Sequence, residues 1–122
     1  MLGLFKGYSG SDVWSELNSI EQLKDLYQQS DTSPVVLFKH STRCSISSMA
    51  KSRIENNWSK LFPDFPIYYL DLIVHRNISN SIAKDLGVEH QSPQIIVVKN
   101  GQAIYDTSHG GIDANNLVDI LS

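Results

Sequence analysis

The sequence has little cysteine, no long apolar run and no cluster of basic residues, and each lack removes a class of function. One cysteine in 122 residues cannot close an internal disulfide, and an unpaired thiol fits a reducing compartment better than an oxidising one. Apolar runs extend for only a few residues, far short of the roughly 20 needed to cross a bilayer, so no membrane span is expected. The ten Lys and Arg are scattered in a chain of net charge -3, which leaves no phosphate-binding stripe and makes nucleic acid a poor partner. The first residues, MLGLFKGYSGSDVW, have an early lysine but neither an h-region nor a small-residue cleavage site, so no secretory signal is expected and a cytoplasmic location is. With 41% hydrophobic and 19% charged residues and no Pro- or Gly-rich tract, the composition is that of an ordinary globule. Its length suits one domain over residues 1–122.

Hydrophobic periodicity divides the chain into elements. Ser19 followed by Gln22 forms a capping-box pattern ahead of Ile20, Leu23, Leu26 and Tyr27 at helical spacing, while residues 12 to 18 fit an extra helical turn or a short strand. Pro34 heads the continuous run Val35, Val36, Leu37 and Phe38, the pattern of a strand buried on both faces, which ends at Lys39 and His40. From about Cys44 to Leu61 a helix is expected, with Ile46, Ala50, Ile54, Trp58 and Leu61 on one stripe and Pro63 beyond its end. A second strand covers residues 67 to 73. The segment NISNSIAKDLGV reads as a helix closed by Gly87. Two β-rich runs then flank Asn100-Gly101, a pair suited to a tight type I' hairpin. A final helix over IDANNLVDIL would bury Ile112, Leu117, Ile120 and Leu121. The strand-helix-strand passage has the length of a right-handed parallel crossover and the hairpin is antiparallel, so an α/β fold is predicted, with a central mixed β-sheet flanked by helices on both faces.

Cys44 falls where the first buried strand gives way to a helix. Helix N-termini carry about half a positive charge and unpaired N–H groups, which stabilise a thiolate. Lys39, His40 and Arg43 add positive charge, and no acidic residue occurs between Asp31 and Glu55. A buried apolar filler is the bland alternative for a free cysteine, but a filler belongs mid-strand or mid-helix rather than among polar neighbours. Ser47, one helical turn on, is placed for its hydroxyl to approach the sulfur as a donor, giving a CxxS pattern. His40 could orient or acidify Cys44, or serve as an ordinary hydrogen-bonding histidine at a strand end. His75, His90 and His109 have no metal-ligand spacing with His40 and Cys44, so no metal is expected. Trp14, Trp58, Tyr68 and Tyr69 are read most simply as core or core-edge aromatics.

The order strand, CxxS at a helix start, strand, helix, SPQIIVVKNG resembles a thioredoxin-like domain. In that fold a cis-proline opens the strand facing the active cysteine, and the residue before it pairs with the substrate backbone; Ser92 and Pro93 occupy those places. More narrowly, LFKHSTRCSIS with SPQIIVVKNG is similar to the YtxJ-like monothiol bacilliredoxins of the bacillithiol redox system, over nearly the whole chain. Of the family motif Thr-x-Cys-Pro-Ile-Ser, the residues Thr42, Cys44, Ile46 and Ser47 match, and Ser45 replaces the proline. The resemblance implies that Cys44 and Ser47 form the catalytic pair and that Lys39, His40, Thr42, Arg43, Ser92 and Pro93 contact substrate, with Lys39 and Arg43 attracting the carboxylates of bacillithiol. It also implies S-bacillithiolated client proteins as partners, bacillithiol as co-substrate and no bound cofactor. The chain carries no resolving cysteine, so an external thiol must release the Cys44 adduct.

Two other functions fit parts of the sequence. A thioredoxin-fold binding or redox-sensing module would carry Cys44 as a passive modification site. An iron-sulfur carrier of the monothiol glutaredoxin type would use a CGFS motif, and Ser45 and Ile46 stand here where Gly and Phe would be.

Overall fold

The computed structural model describes residues 13–63 and 65–121; the opening segment and residue 12 of the ambiguous stretch lie outside them. In chain order the elements are β1 (Trp14–Glu16), α1 (Ile20–Gln29), β2 (Val35–His40), α2 (Ser45–Leu61), β3 (Ile67–Asp71), α3 (Arg76–Leu86), β4 (Gln94–Lys99) and β5 (Gln102–Ser108), then two short 3-10 turns and α4 (Val118–Leu121). The sheet order is β1-β3-β2-β4-β5. β3 runs parallel to β1 and β2, whereas β4 is antiparallel to β2 and β5. The chain is a thioredoxin-like α/β fold with a mixed sheet.

Side chains of a strand alternate between faces, and the core splits accordingly. Val35 and Leu37 join Leu23 and Leu26 of α1 and Ile78 and Ile82 of α3 on one face. Val36 and Phe38 join Ala50, Ile54 and Trp58 of α2 on the other, together with Ile112, Ala114 and Leu117. Burying each such aliphatic side chain contributes about 1.5 to 3 kcal/mol, so both layers of helices are held by the same strands.

Local chemistry sets the ends of these elements. The Ser19 side chain accepts from Gln22 N–H at 3.1 Å, while Gln22 Oε1 accepts from Asn18 N–H at 2.9 Å, so the box closes one residue earlier than its usual form. Gly87 stops α3 in the left-handed region at φ 67. Asn100 and Gly101 have φ of 54 and 71, the positive pair that a type I' turn requires.

Of the two readings open for residues 12 to 18, Trp14–Glu16 takes the strand, paired with β3. Two other expectations change. Ile46 is 55% exposed and Ser47 takes the buried place at the head of the α2 stripe; positions four apart drift by about 40° on a helix of 3.6 residues per turn, which carries Ile46 off the face centred on Ile54. The final helix is also shorter than its apolar pattern. Asp113 accepts from Asn115 N–H at 2.9 Å and Asn116 Nδ2 donates to Gly111 O at 3.1 Å, local bonds that compete with an α-helical turn. Residues Ala114–Leu117 are therefore a 3-10 turn and α-helix begins at Val118.

Candidate active site

β2 delivers the site. Its last residue, His40, is followed by the loop Ser41–Arg43 and by Cys44, which is the N-cap of α2 in extended backbone geometry at φ -112, ψ 122. Cys44 N–H donates to Ser41 O at 3.1 Å, and Cys44 O accepts from Ser48 N–H at 3.1 Å. Cys44 is half-buried and stands at the N-terminus of a helix of 17 residues. Thr42 and Arg43 are exposed next to it.

Ser47 is fully buried and its hydroxyl is engaged elsewhere than expected. Oγ lies 2.7 Å from His40 Nδ1 and accepts from Ser41 N–H at 3.1 Å. The serine thus ties the strand end and the loop to the helix, and the picture of a hydroxyl given over to the sulfur is replaced by one that turns inward. His40 is itself buried, stacked on Phe38 at 5.9 Å and against Tyr69 at 5.5 Å. Burial pushes its pKa down, Lys51 adds to this, and Asp71, Ser47 and Glu55 act in the opposite direction.

The second arm of the site comes from β4. Lys39 and Gln94 are register partners, so the residues just before Gln94 lie beside the end of β2 from which the Cys44 loop departs. The Ser92–Pro93 peptide is cis, Pro93 O accepts from His109 N–H at 3.2 Å, and Ser92 Oγ is buried with no hydrogen-bond partner among the described residues. A half-exposed cysteine at a helix start and a cis-proline loop therefore lie at the same end of the sheet. The family model described as monothiol bacilliredoxin BrxC matches residues 15–117.

The chain belongs to this family. Among solved structures it is similar to a protein described as an oxidoreductase with a thioredoxin fold, at 29% identity and TM-score 0.80, covering 93% of this chain and 97% of that one. Fasciola hepatica thioredoxin aligns over 88% of this chain and 98% of its own at 13% identity and TM-score 0.69. Saccharomyces cerevisiae mitochondrial thioredoxin 3 aligns over 93% and 97% at 21% identity and TM-score 0.65. The last two bear on the fold alone. Family and fold together place the protein among thiol oxidoreductases.

Lys39 does not sit where the expected attraction of carboxylates needs it. It is fully buried on the opposite face of the sheet from His40, because the two are consecutive on β2. Its Nζ lies 3.0 Å from His90 Nδ1, which is also 3.3 Å from Ser79 Oγ, and burial lowers its pKa to about 8. Arg43 is the exposed cation of the expected pair.

Sequence reasoning missed the groups that support His40. Glu55 Oε2 accepts from both Lys51 Nζ and Trp14 Nε1 at 2.6 Å, and Lys51 Nζ lies 5.2 Å and 5.8 Å from the Trp14 and Tyr69 ring centres. The i,i+4 spacing of Lys51 and Glu55 was a legible signal; the approach of Trp14 across 41 residues of chain was not. An open cleft of about 330 Å³ at the ends of β1 and β3 is lined by residues that include Glu16, Tyr69 and Asp71. Its carboxylates make it a poor seat for an anionic thiol.

Proposed function

We propose that the protein is a monothiol disulfide reductase that removes bacillithiol from S-bacillithiolated client proteins through a mixed disulfide on Cys44. The observation that carries this reading is the pairing of one half-exposed cysteine at the start of α2 with a buried serine at the place one turn on, so that nothing in the chain can attack an adduct on Cys44. Family membership supports the choice of thiol. The exposed Arg43 offers a cation to its carboxylates.

The Cys44 thiolate attacks the bacillithiol sulfur of the client's mixed disulfide. The new S–S bond joins Cys44 to bacillithiol, and the client sulfur leaves as a thiolate that takes a proton from water. A second, external thiolate then attacks the bacillithiol sulfur on Cys44, forming a small-molecule disulfide and returning the Cys44 thiolate. Electrons for each cycle come from that external thiol.

The test is client release followed by intact mass, with and without added reduced bacillithiol. Without it the wild-type protein stops after one equivalent with the adduct on Cys44, and with it turnover is sustained. Cys44→Ser keeps the fold and loses transfer. Sustained turnover without added thiol, or transfer by Cys44→Ser, defeats the mechanism. An adduct that forms once and is never passed on, even with bacillithiol present, identifies a redox-sensing module instead.

A further inference from the structure

Ser47 Oγ holds one hydrogen, is fully buried, accepts from Ser41 N–H at 3.1 Å and lies 2.7 Å from His40 Nδ1. A hydroxyl that already accepts from an amide still has its own hydrogen to place, and the ring nitrogen is the acceptor within reach. We infer that neutral His40 carries its proton on Nε2 and holds the Ser47 hydrogen at Nδ1, so that the two are positioning residues for the Cys44 loop, and that protonation of His40 frees this hydrogen for the sulfur.

When His40 takes a proton from water at Nδ1, the bond reverses. The ring N–H donates to Ser47 Oγ, which then accepts from both His40 and Ser41, and the serine keeps a hydrogen with no acceptor on that side. Cys44, the N-cap of α2, lies three residues back at the head of the same first turn. A thiolate there gains a donor, and the same event places a positive ring behind it. No bond to sulfur is made or broken; the step is proton uptake with an exchange of hydrogen-bond partners.

The charges facing the ring come from two elements. Lys51 of α2 opposes the added proton, while Glu55 of α2 and Asp71 of β3 favour it, with the Tyr69 ring of β3 packed alongside. Glu55 is already bonded to Lys51 and Trp14, so its pull is divided. Burial is the largest influence and sets the direction downward from 6.5, which puts the switch on the acid side of neutrality.

The inference rests on Cys44 as the reactive thiol but not on bacillithiol, so its test uses neither client nor co-substrate. Alkylation of Cys44 by iodoacetamide is followed by mass from about pH 4.5 to about pH 8.5. Wild type should fall less steeply in acid than the tenfold per unit of a single ionisation, with a shoulder starting below about pH 6.5. Ser47→Ala should shrink the shoulder to what the positive ring alone supplies, its rate at the acid end dropping about two- to tenfold against wild type. His40→Asn keeps a bonding group at the δ1 position without titrating there, and should lose the shoulder altogether. The ring ¹⁵N shifts of wild-type His40 at neutral pH, which require no variant to fold, should show the proton on Nε2. A single-ionisation profile in wild type, a shoulder undiminished by Ser47→Ala, or a His40 proton on Nδ1 at neutral pH overturns the inference.

Discussion

Lys39 and His40 are neighbours on β2 and belong to different cores. Alternation sends Lys39 after Leu37 to the α1/α3 face and His40 after Phe38 to the α2 face, and both are all but fully buried. His40 meets a hydroxyl at 2.7 Å and two aromatic rings. Lys39 meets a single nitrogen of an exposed histidine. A neutral imidazole can both donate and accept, and it loses little by leaving water. An ammonium can only donate, and among the described residues no carboxylate pairs with it, so the cost of burial shows as a pKa lowered to about 8. Equal burial therefore stabilises one face and burdens the other.

The largest expected effect reverses that burden. Lys39→Met should raise stability at neutral pH by about 2 to 3 kcal/mol, the worth of a pKa displaced from 10.5 to about 8 less the lost contact to His90. The pH dependence fixes the cause. Between about pH 8 and 10.5 the unfolded chain holds the Lys39 proton while the folded chain has given it up, so wild-type stability climbs with pH across that window and the penalty is complete below it. Urea midpoints at constant slope should show the climb in wild type and its absence in Lys39→Met. A variant no more stable than wild type at neutral pH would mean that the amine finds water in solution.

On the other face the sign should change. His40→Leu matches the apolar surroundings but deprives the buried Ser47 hydroxyl of its acceptor, and an orphaned polar group costs about 1 to 3 kcal/mol. The urea midpoint should fall. If His40→Leu were as stabilising as Lys39→Met, the two sites would be equivalent and the contrast between the faces would collapse.

Much of this contrast was readable in the chain and part was not. The apolar run Val35–Phe38 announces a strand buried on both faces, and alternation continued two residues further would have put Lys39 and His40 on opposite sides. Their polarity argued for the surface instead, because lysine is almost never fully buried without a partner. The partner, His90, is 51 residues away, and no local spacing announces it. Cys44 was legible from a junction of two periodicities and Ser47 from its place one turn on. The direction of the Ser47 hydroxyl was not, since it depends on a ring delivered by β2. Pro93 was placed by the resemblance of its surroundings, not by any property of the dipeptide. The shortened last helix reflects Asp113, Asn115 and Asn116, whose side chains bind nearby backbone, a competition that an apolar pattern does not register.

The smallest effect tests whether the faces are coupled. His90, exposed as a whole, has its pKa lowered first by the partial burial of its ring, then by Lys39 and Arg76; for His40, burial comes first and Lys51 second, and Lys39 plays no part. Removing the ammonium in Lys39→Met should therefore move the His90 midpoint up toward 6.5 and leave that of His40 in place, as followed by the ring proton shifts of the four histidines through an acid titration. The sheet between the residues is the reason: Lys39 and His90 are 3.0 Å apart on one side, and the backbone of β2 with its hydrogen-bonded neighbours stands between them and the Ser47 network. Both histidines resist protonation in the folded protein, so each removes stability as pH falls below the unfolded value of about 6.5. Lys39→Met should ease only the His90 share of that loss. Equal movement of both midpoints would show that a charge on the α3 face reaches the thiol's side of the sheet, and Lys39 would then belong to the active site after all.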